Sequence, residues 1–271
     1  MRAKYSFSSK KTKRATKSPK MRKQRDKYPE MLNQIILESD IILEVLDARF
    51  VALTWNKEIS EEIKKQNKKL IYVLNKSDLK NVKTNLKPFI KISCKTREGI
   101  KKLREMIKRE SKKIEKDKIH IGIVGYPNTG KSSLINLLIG KSSAGTGADA
   151  GFTRGIQKLK LDGNIILLDT PGVIPKKDYS GVEGEKIAHH VMVGGRSYSQ
   201  VKDPEMVVAI LMKEFKDILE KHYKIKSDRN PEIFLEELGK RKNFLKKGGE
   251  INVDKTARLV LKDWQNGTIR I

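Results

Sequence analysis

The stretch Gly125-Tyr126-Pro127-Asn128-Thr129-Gly130-Lys131-Ser132-Ser133 decides how the rest of the chain is read. It follows the apolar run Ile119 to Val124 and leads into Leu134, Leu137 and Leu138 at helical spacing, which gives strand, glycine loop, helix. The pattern G-x-x-x-x-G-K-[ST] suits phosphate. Gly125 and Gly130 let backbone amides turn inward onto phosphate oxygens, and the helix that follows adds the positive end of its dipole. In this reading Lys131 reaches the terminal phosphates and Ser132 holds Mg2+. Asn128, Thr129, Gly130 and Ser133 complete the nucleotide-facing loop.

Upstream of that loop, a helix is expected from Tyr28-Pro29-Glu30 to Glu38, a buried strand over Ile41 to Leu46, and a second helix over Ser60 to Asn67. Leu70 to Leu74 is apolar without alternation, as in a strand of a parallel sheet covered on both faces. Its C-terminal edge carries Asn75-Lys76-Ser77-Asp78, and ligands of open α/β sheets bind at the carboxyl ends of strands. Asp78 can accept from the ring NH and the exocyclic amine of guanine together, whereas adenine offers no such pair. The Lys76 stem covers the base and Asn75 braces the loop. A strand over Pro88 to Ile92 then leads to Ser93-Cys94-Lys95, whose backbone can approach the guanine carbonyl. Cys94 is expected at a small-residue position, not as a nucleophile, since no nearby His or Asp activates it. An amphipathic helix follows over Glu98 to Lys116.

Downstream, Ser142 to Gly151 is rich in Gly and Ala and precedes Phe152-Thr153-Arg154-Gly155, a composition suited to a mobile switch in which Thr153 supplies a hydroxyl to Mg2+ and an amide to the terminal phosphate. Ile156 to Leu161, the Asp162-Gly163 turn and Asn164 to Leu168 read as a hairpin that delivers Asp169-Thr170-Pro171-Gly172. Asp169 is expected on the Mg2+ side, with the Gly172 amide toward the terminal phosphate. Residues 183–200 read as a switch or linker, with the adjacent pair His189 and His190 in a loop because two neighbouring His lack metal-ligand spacing. Three helical patterns follow: one capped by Asp203 and opened by Pro204, one starting at Asn230-Pro231, and one capped by Asp254.

The 271 residues carry 59 Lys plus Arg against 33 Asp plus Glu, a formal net charge of +26, which points to a polyanionic partner. No run of about 18 apolar residues, signal-peptide core or prenylation cysteine supports a membrane, so RNA is the expected partner. Cys94 is the single cysteine, which excludes an internal disulfide and fits a reducing cytoplasm. Residues 1–27 hold twelve Lys or Arg and one acid, Asp26, too little apolar surface to order themselves; they are either a phosphate-binding arm or a passive tail.

The order of these motifs, NKSD and SCK before GYPNTGKSS, GFTRG and DTPG, resembles that of a circularly permuted GTPase. Asp47-Ala48-Arg49, the DTPGVIPK of Asp169 to Lys176, and the terminal D-x-x-x-R-x-x-L-x-D-W-Q-x-G of Asp254 to Gly267 are similar to the YlqF/YawG group of ribosome-assembly GTPases over residues 28 to 271. The resemblance implies GTP hydrolysis and action on rRNA or a large ribosomal subunit precursor. Bacterial members carry a Pro-Gly-His-Met element ahead of Asp-Ala-Arg whose His is tied to hydrolysis; this sequence has no His before His120. Val173 stands where Ras-like enzymes have a water-orienting Gln, so slow intrinsic turnover is expected. In GTPases with a similar loop, an Asn at the place of Asn128 helps to coordinate K+ beside the phosphates; Arg154 is the rival for that charge. The expected architecture is thus α/β, a circularly permuted P-loop GTPase domain over 28–182 with a mostly parallel sheet, and a small all-α RNA-binding domain over 201–271. Its ligands are expected to be GTP or GDP, Mg2+ and K+. A GTP-gated RNA-binding module that barely hydrolyses, and a P-loop kinase or ATPase, stand as alternatives, with Asp78 against the second.

Overall fold

The computed structural model describes residues 30–140, 157–169 and 184–270. Six strands form one sheet in the order β3-β2-β1-β4-β6-β5: β1 (Ile41–Asp47), β2 (Lys69–Asn75), β3 (Phe89–Lys91), β4 (Ile119–Gly125), β5 (Gln157–Asp162) and β6 (Ile165–Asp169). Every neighbouring pair is parallel except the β5–β6 hairpin. The strand that carries Asn75 therefore precedes in sequence, and lies two places in the sheet from, the strand that feeds the glycine loop.

Both sheet faces are covered, which explains the runs without polar alternation. On one face Ile41, Leu43 and Val45 of β1 pack with Leu103 and Ile107 of α4 (Ile100–Ser111) and with Leu134, Ile135 and Leu138 of α5 (Lys131–Ile139). On the other, Ile42 and Leu46 meet Ile35 and Ile36 of α1 (30–38) and Ile59 and Ile63 of α3 (Lys57–Lys65). Helix α3 starts three residues ahead of the expected Ser60 because Asn56 caps it, accepting from the Ile59 amide. A short α2 (Val51–Thr54), absent from the sequence reading, follows a 3-10 turn over Ala48–Phe50.

The C-terminal region is helical, with one correction to the reading of residues 183–200. Gly184–Met192 forms α6, which places His189 and His190 on a helix instead of in a loop. The physical reason is the apolar set Ala188, Val191 and Met192, buried against α7 (Pro204–Glu214) and α10 (Val253–Gln265). The first expected helix is two: α7 stops at Glu214 and α8 (Ile218–Tyr223) begins after Asp217, whose φ of +60° breaks the helical run. Helix α9 spans Pro231–Arg241. Helix α10 is capped by Asn252, not Asp254; the Asn252 side chain accepts from the Lys255 amide, and Asp254 instead pairs with Arg258. Phe50 and Tyr126, from the sheet domain, are buried inside this helical cluster, so the two regions share a core. Among the described residues no helix is long and apolar enough to cross a membrane.

Candidate functional site

The glycine loop leaves β4 at its carboxyl end and turns into α5, as the apolar run and the two glycines require. Gly130 has a φ of +98°, and a Cβ there would strike the Asn75 side-chain amide. That close approach has a purpose: Asn75 Nδ2 donates to the Thr129 carbonyl at 2.7 Å, while its Oδ1 accepts from the Cys94 amide at 3.0 Å. One buried asparagine thus joins the phosphate loop to the Ser93-Cys94-Lys95 loop. Thr129, fully buried, closes its own turn by donating from Oγ1 to the Tyr126 carbonyl.

Lys76 Nζ donates to the Asn128 carbonyl at 3.0 Å and pairs with Asp47 at 2.9 Å, so NKSD and the glycine loop meet at two residues. Burial pushes the Lys76 pKa down against the pull of Asp47. For Asp47, burial raises the carboxyl, but the charges of Lys76 and Arg49 outweigh it and hold it well below the usual carboxylate range. Ser77 donates from Oγ to the Ile92 carbonyl, which holds the Lys76–Asp78 turn beside the end of β3. Burial pushes the Cys94 thiol up to about 12, which leaves it protonated and unreactive at neutral pH.

On the phosphate side, Lys131 is buried and its Nζ donates to the Gly125 and Tyr126 carbonyls at 3.1 and 2.9 Å. Burial lowers its pKa to about 8, with Asp169 pulling the other way. Asp169 ends β6 opposite Ile123, two residues before the loop begins, and its side chain is buried. Ser132 and Ser133 open α5. The chemistry of this donor set fits a nucleoside phosphate with Mg2+: Lys131 places a cation against the glycine loop, and Ser132 and Asp169 carry oxygen atoms of the kind the metal takes. Thr153, Gly172 and Arg154, assigned to the switches, lie outside the described residues.

A profile of the 50S ribosome-binding GTPase family matches residues 120–237. The uncharacterized GTP-binding protein MJ1464 of Methanocaldococcus jannaschii is 37% identical over 260 residues, covering 92% of this chain and 68% of that protein. The chain belongs to the YlqF-type circularly permuted GTPases. In fold it is similar to GNP-bound YlqF from T. maritima, with a TM-score of 0.64 at 24% identity over 90% of this chain and 95% of that one. The guanine nucleotide-binding protein-like NSN1 of Arabidopsis thaliana is 34% identical over 89% of the chain. The chain spans about half the length of the plant relative, 47%.

For a permuted GTPase, the contacts that sequence reasoning missed are those between the glycine loop and the helical region. Asn128 Nδ2 donates to the Gly194 carbonyl at 2.8 Å, and a Cβ at Gly194, where φ is +79°, would come within 2.7 Å of Asn128 Cβ. A Cβ on the neighbouring Gly195 would meet the Tyr126 ring at 2.5 Å. The only signal for this docking was the Gly194-Gly195 pair itself. Arg49 makes the second tie. Its guanidinium donates to Asp47 from Nε at 3.0 Å and Nη2 at 2.8 Å, and from Nη1 to the Trp264 carbonyl at 2.8 Å. The base-side loop is therefore linked, through Lys76, Asp47 and Arg49, to the end of α10.

Proposed function

We propose that this permuted GTPase hydrolyses GTP as a switch on rRNA or a large ribosomal subunit precursor in the cytoplasm. The observation that carries the reading is the Asn128–Gly194 contact, which ties a nucleotide-cradling loop directly to a helical region in a strongly basic chain. A terminal phosphate that rearranges the loop then alters how the helical region sits, which is how a nucleotide state becomes an RNA-binding state. Lys131 orients the terminal phosphates, and Asp78 and Asn75 select and frame guanine. Ser132 and Asp169 hold Mg2+, which supplies charge neutralisation at the phosphates when bound. Thr153 and Gly172 are assigned to the terminal phosphate on sequence alone. The relatives support the ribosomal setting by name: the matching profile is that of 50S ribosome-binding GTPases.

Val173 in place of a water-orienting Gln makes the intrinsic rate slow, and completion of the site falls to the ribosomal particle and to K+ at Asn128. The test is GTP turnover with and without large ribosomal subunits, in potassium and in sodium at equal ionic strength, with Asn128→Ala alongside. Stimulation by the particle, larger in potassium and lost in the variant, is expected. GTP turnover that the particle leaves unchanged in either salt sinks the switch reading, and a GTP-gated binder takes its place.

A further inference from the structure

A cleft of about 910 Å3 opens on the sheet domain, away from the glycine loop, between the Ala48–Thr54 segment, α3 and the loop from Lys80 to Lys87. Its described lining holds four lysines, Lys64, Lys80, Lys83 and Lys87, and no carboxylate. Its floor is apolar and aromatic. Leu53 is 46% exposed there, and Trp55 is fixed by donating from Nε1 to Ser60 Oγ at 2.8 Å. Neither nucleotide binding nor the docking of the helical region uses these side chains.

We infer that this cleft binds single-stranded RNA, its lysines on the phosphates and its apolar floor against unstacked bases. The inference rests on the RNA reading above and gives it a location. A rim of cations without a counter-charge calls for a polyanion, and an apolar, aromatic floor gains from exposed bases, which a duplex keeps stacked inside. The chain's own residues 1–27, with twelve Lys or Arg and one acid, are repelled by that rim. Lys80 Nζ donates to the Arg49 carbonyl at 3.2 Å, so the cleft wall is continuous with the turn that holds Asp47 and Lys76.

The test uses the full chain and a short fluorescent oligouridine. Lys83→Glu with Lys87→Glu removes two exposed cleft cations; Lys101→Glu with Lys102→Glu, on exposed positions of α4, makes the same charge change elsewhere. The cleft variant is expected to weaken oligouridine binding about tenfold and to lower the salt slope by about 1.4, with GTP affinity unchanged, while the α4 variant loses much less. Leu53→Ser weakens binding without changing the slope. Equal losses in both double variants mean diffuse attraction and overturn the cleft assignment, as does oligouridine binding unchanged in the cleft variant. A cleft variant that loses a polyglutamate peptide but keeps oligouridine assigns the cleft to an acidic protein segment and overturns it too. Failure of the wild-type chain to bind oligouridine brings down both this inference and the RNA reading on which it rests.

Discussion

Replacing Arg49 by Ala tests how the nucleotide-binding half holds its helical partner. The Arg49 side chain is 1% exposed and that of Asp47 is 0% exposed, so their ion pair is fully removed from water. Taking away one partner of such a pair costs about 3–5 kcal/mol, because the other charge stays buried. Two features place this site at the low end. Asp47 keeps Lys76 at 2.9 Å and the residue-49 backbone amide at 3.0 Å, and the Trp264 carbonyl keeps the Gly267 amide at 3.1 Å. A loss of about 3 kcal/mol is therefore expected, a large part of the roughly 5–15 kcal/mol that holds a typical protein folded. Arg49→Lys should fall between, since an ammonium keeps the charge but cannot fork across Asp47 and reach Trp264 as well. Urea unfolding followed by tryptophan fluorescence gives the stabilities, and hydrogen exchange over 261–267 reports whether the end of α10 is released. A stability within about 1 kcal/mol of wild type, with exchange at α10 unchanged, would refute the claim that Arg49 fastens the two regions together.

Two further outcomes follow from buried groups. Glu44 on β1 is buried, and burial raises its pKa from 4.5 to about 7 against hydrogen bonds from Ser60 and the Asn56 amide. Because the folded value lies above the unfolded one, its penalty is absent below pH 4.5 and grows to about 3 kcal/mol as pH rises through 7. Glu44→Gln should remove that pH dependence, so the wild-type minus variant stability falls by this amount between pH 4.5 and 8; a flat difference refutes it. Gly194→Ala puts a Cβ into Asn128 at a φ of +79° and should cost about 1–2 kcal/mol while raising hydrogen exchange across the glycine loop. Unchanged exchange there would mean that the loop does not depend on this contact.

The sheet was legible because its signals are local. Apolar runs covered on both faces, glycines at fixed spacing and polar strand ends read correctly from a few consecutive residues each, and NKSD and GYPNTGKSS do meet at the carboxyl edge. Helix α6 was hidden by its surroundings: Ala188, Val191 and Met192 stand at helical spacing, but the stripe is only nine residues long, is interrupted by His189 and His190, lies in a wider stretch dotted with Gly and Lys, and is buried against α7 and α10. The Arg49–Trp264 bond spans 215 positions, and no pattern along the chain encodes it.

The same distance effect explains what the terminal D-x-x-x-R-x-x-L-x-D-W-Q-x-G does. Residues 193–201 are irregular backbone apart from one 3-10 turn, and their carbonyls need donors if the segment is to pack against the glycine loop. Helix α10 supplies them from one face. Arg258, steadied by Asp254, donates to the Tyr198, Ser199 and Val201 carbonyls. Trp264 Nε1 donates to Met192, and Gln265 Nε2 to Val191 and Arg196. Gly267 then lets the chain pass close to Leu79, next to Asp78 on the base-side loop. Arg258, Trp264 and Gln265 thus hold the segment that presents Gly194 and Gly195 to Asn128 and Tyr126, while Asp263 accepts from the Tyr223 hydroxyl at 2.8 Å and ties α10 to α8. The motif that looked like a marker of the C-terminal domain is, in physical terms, the support behind the segment that meets the glycine loop.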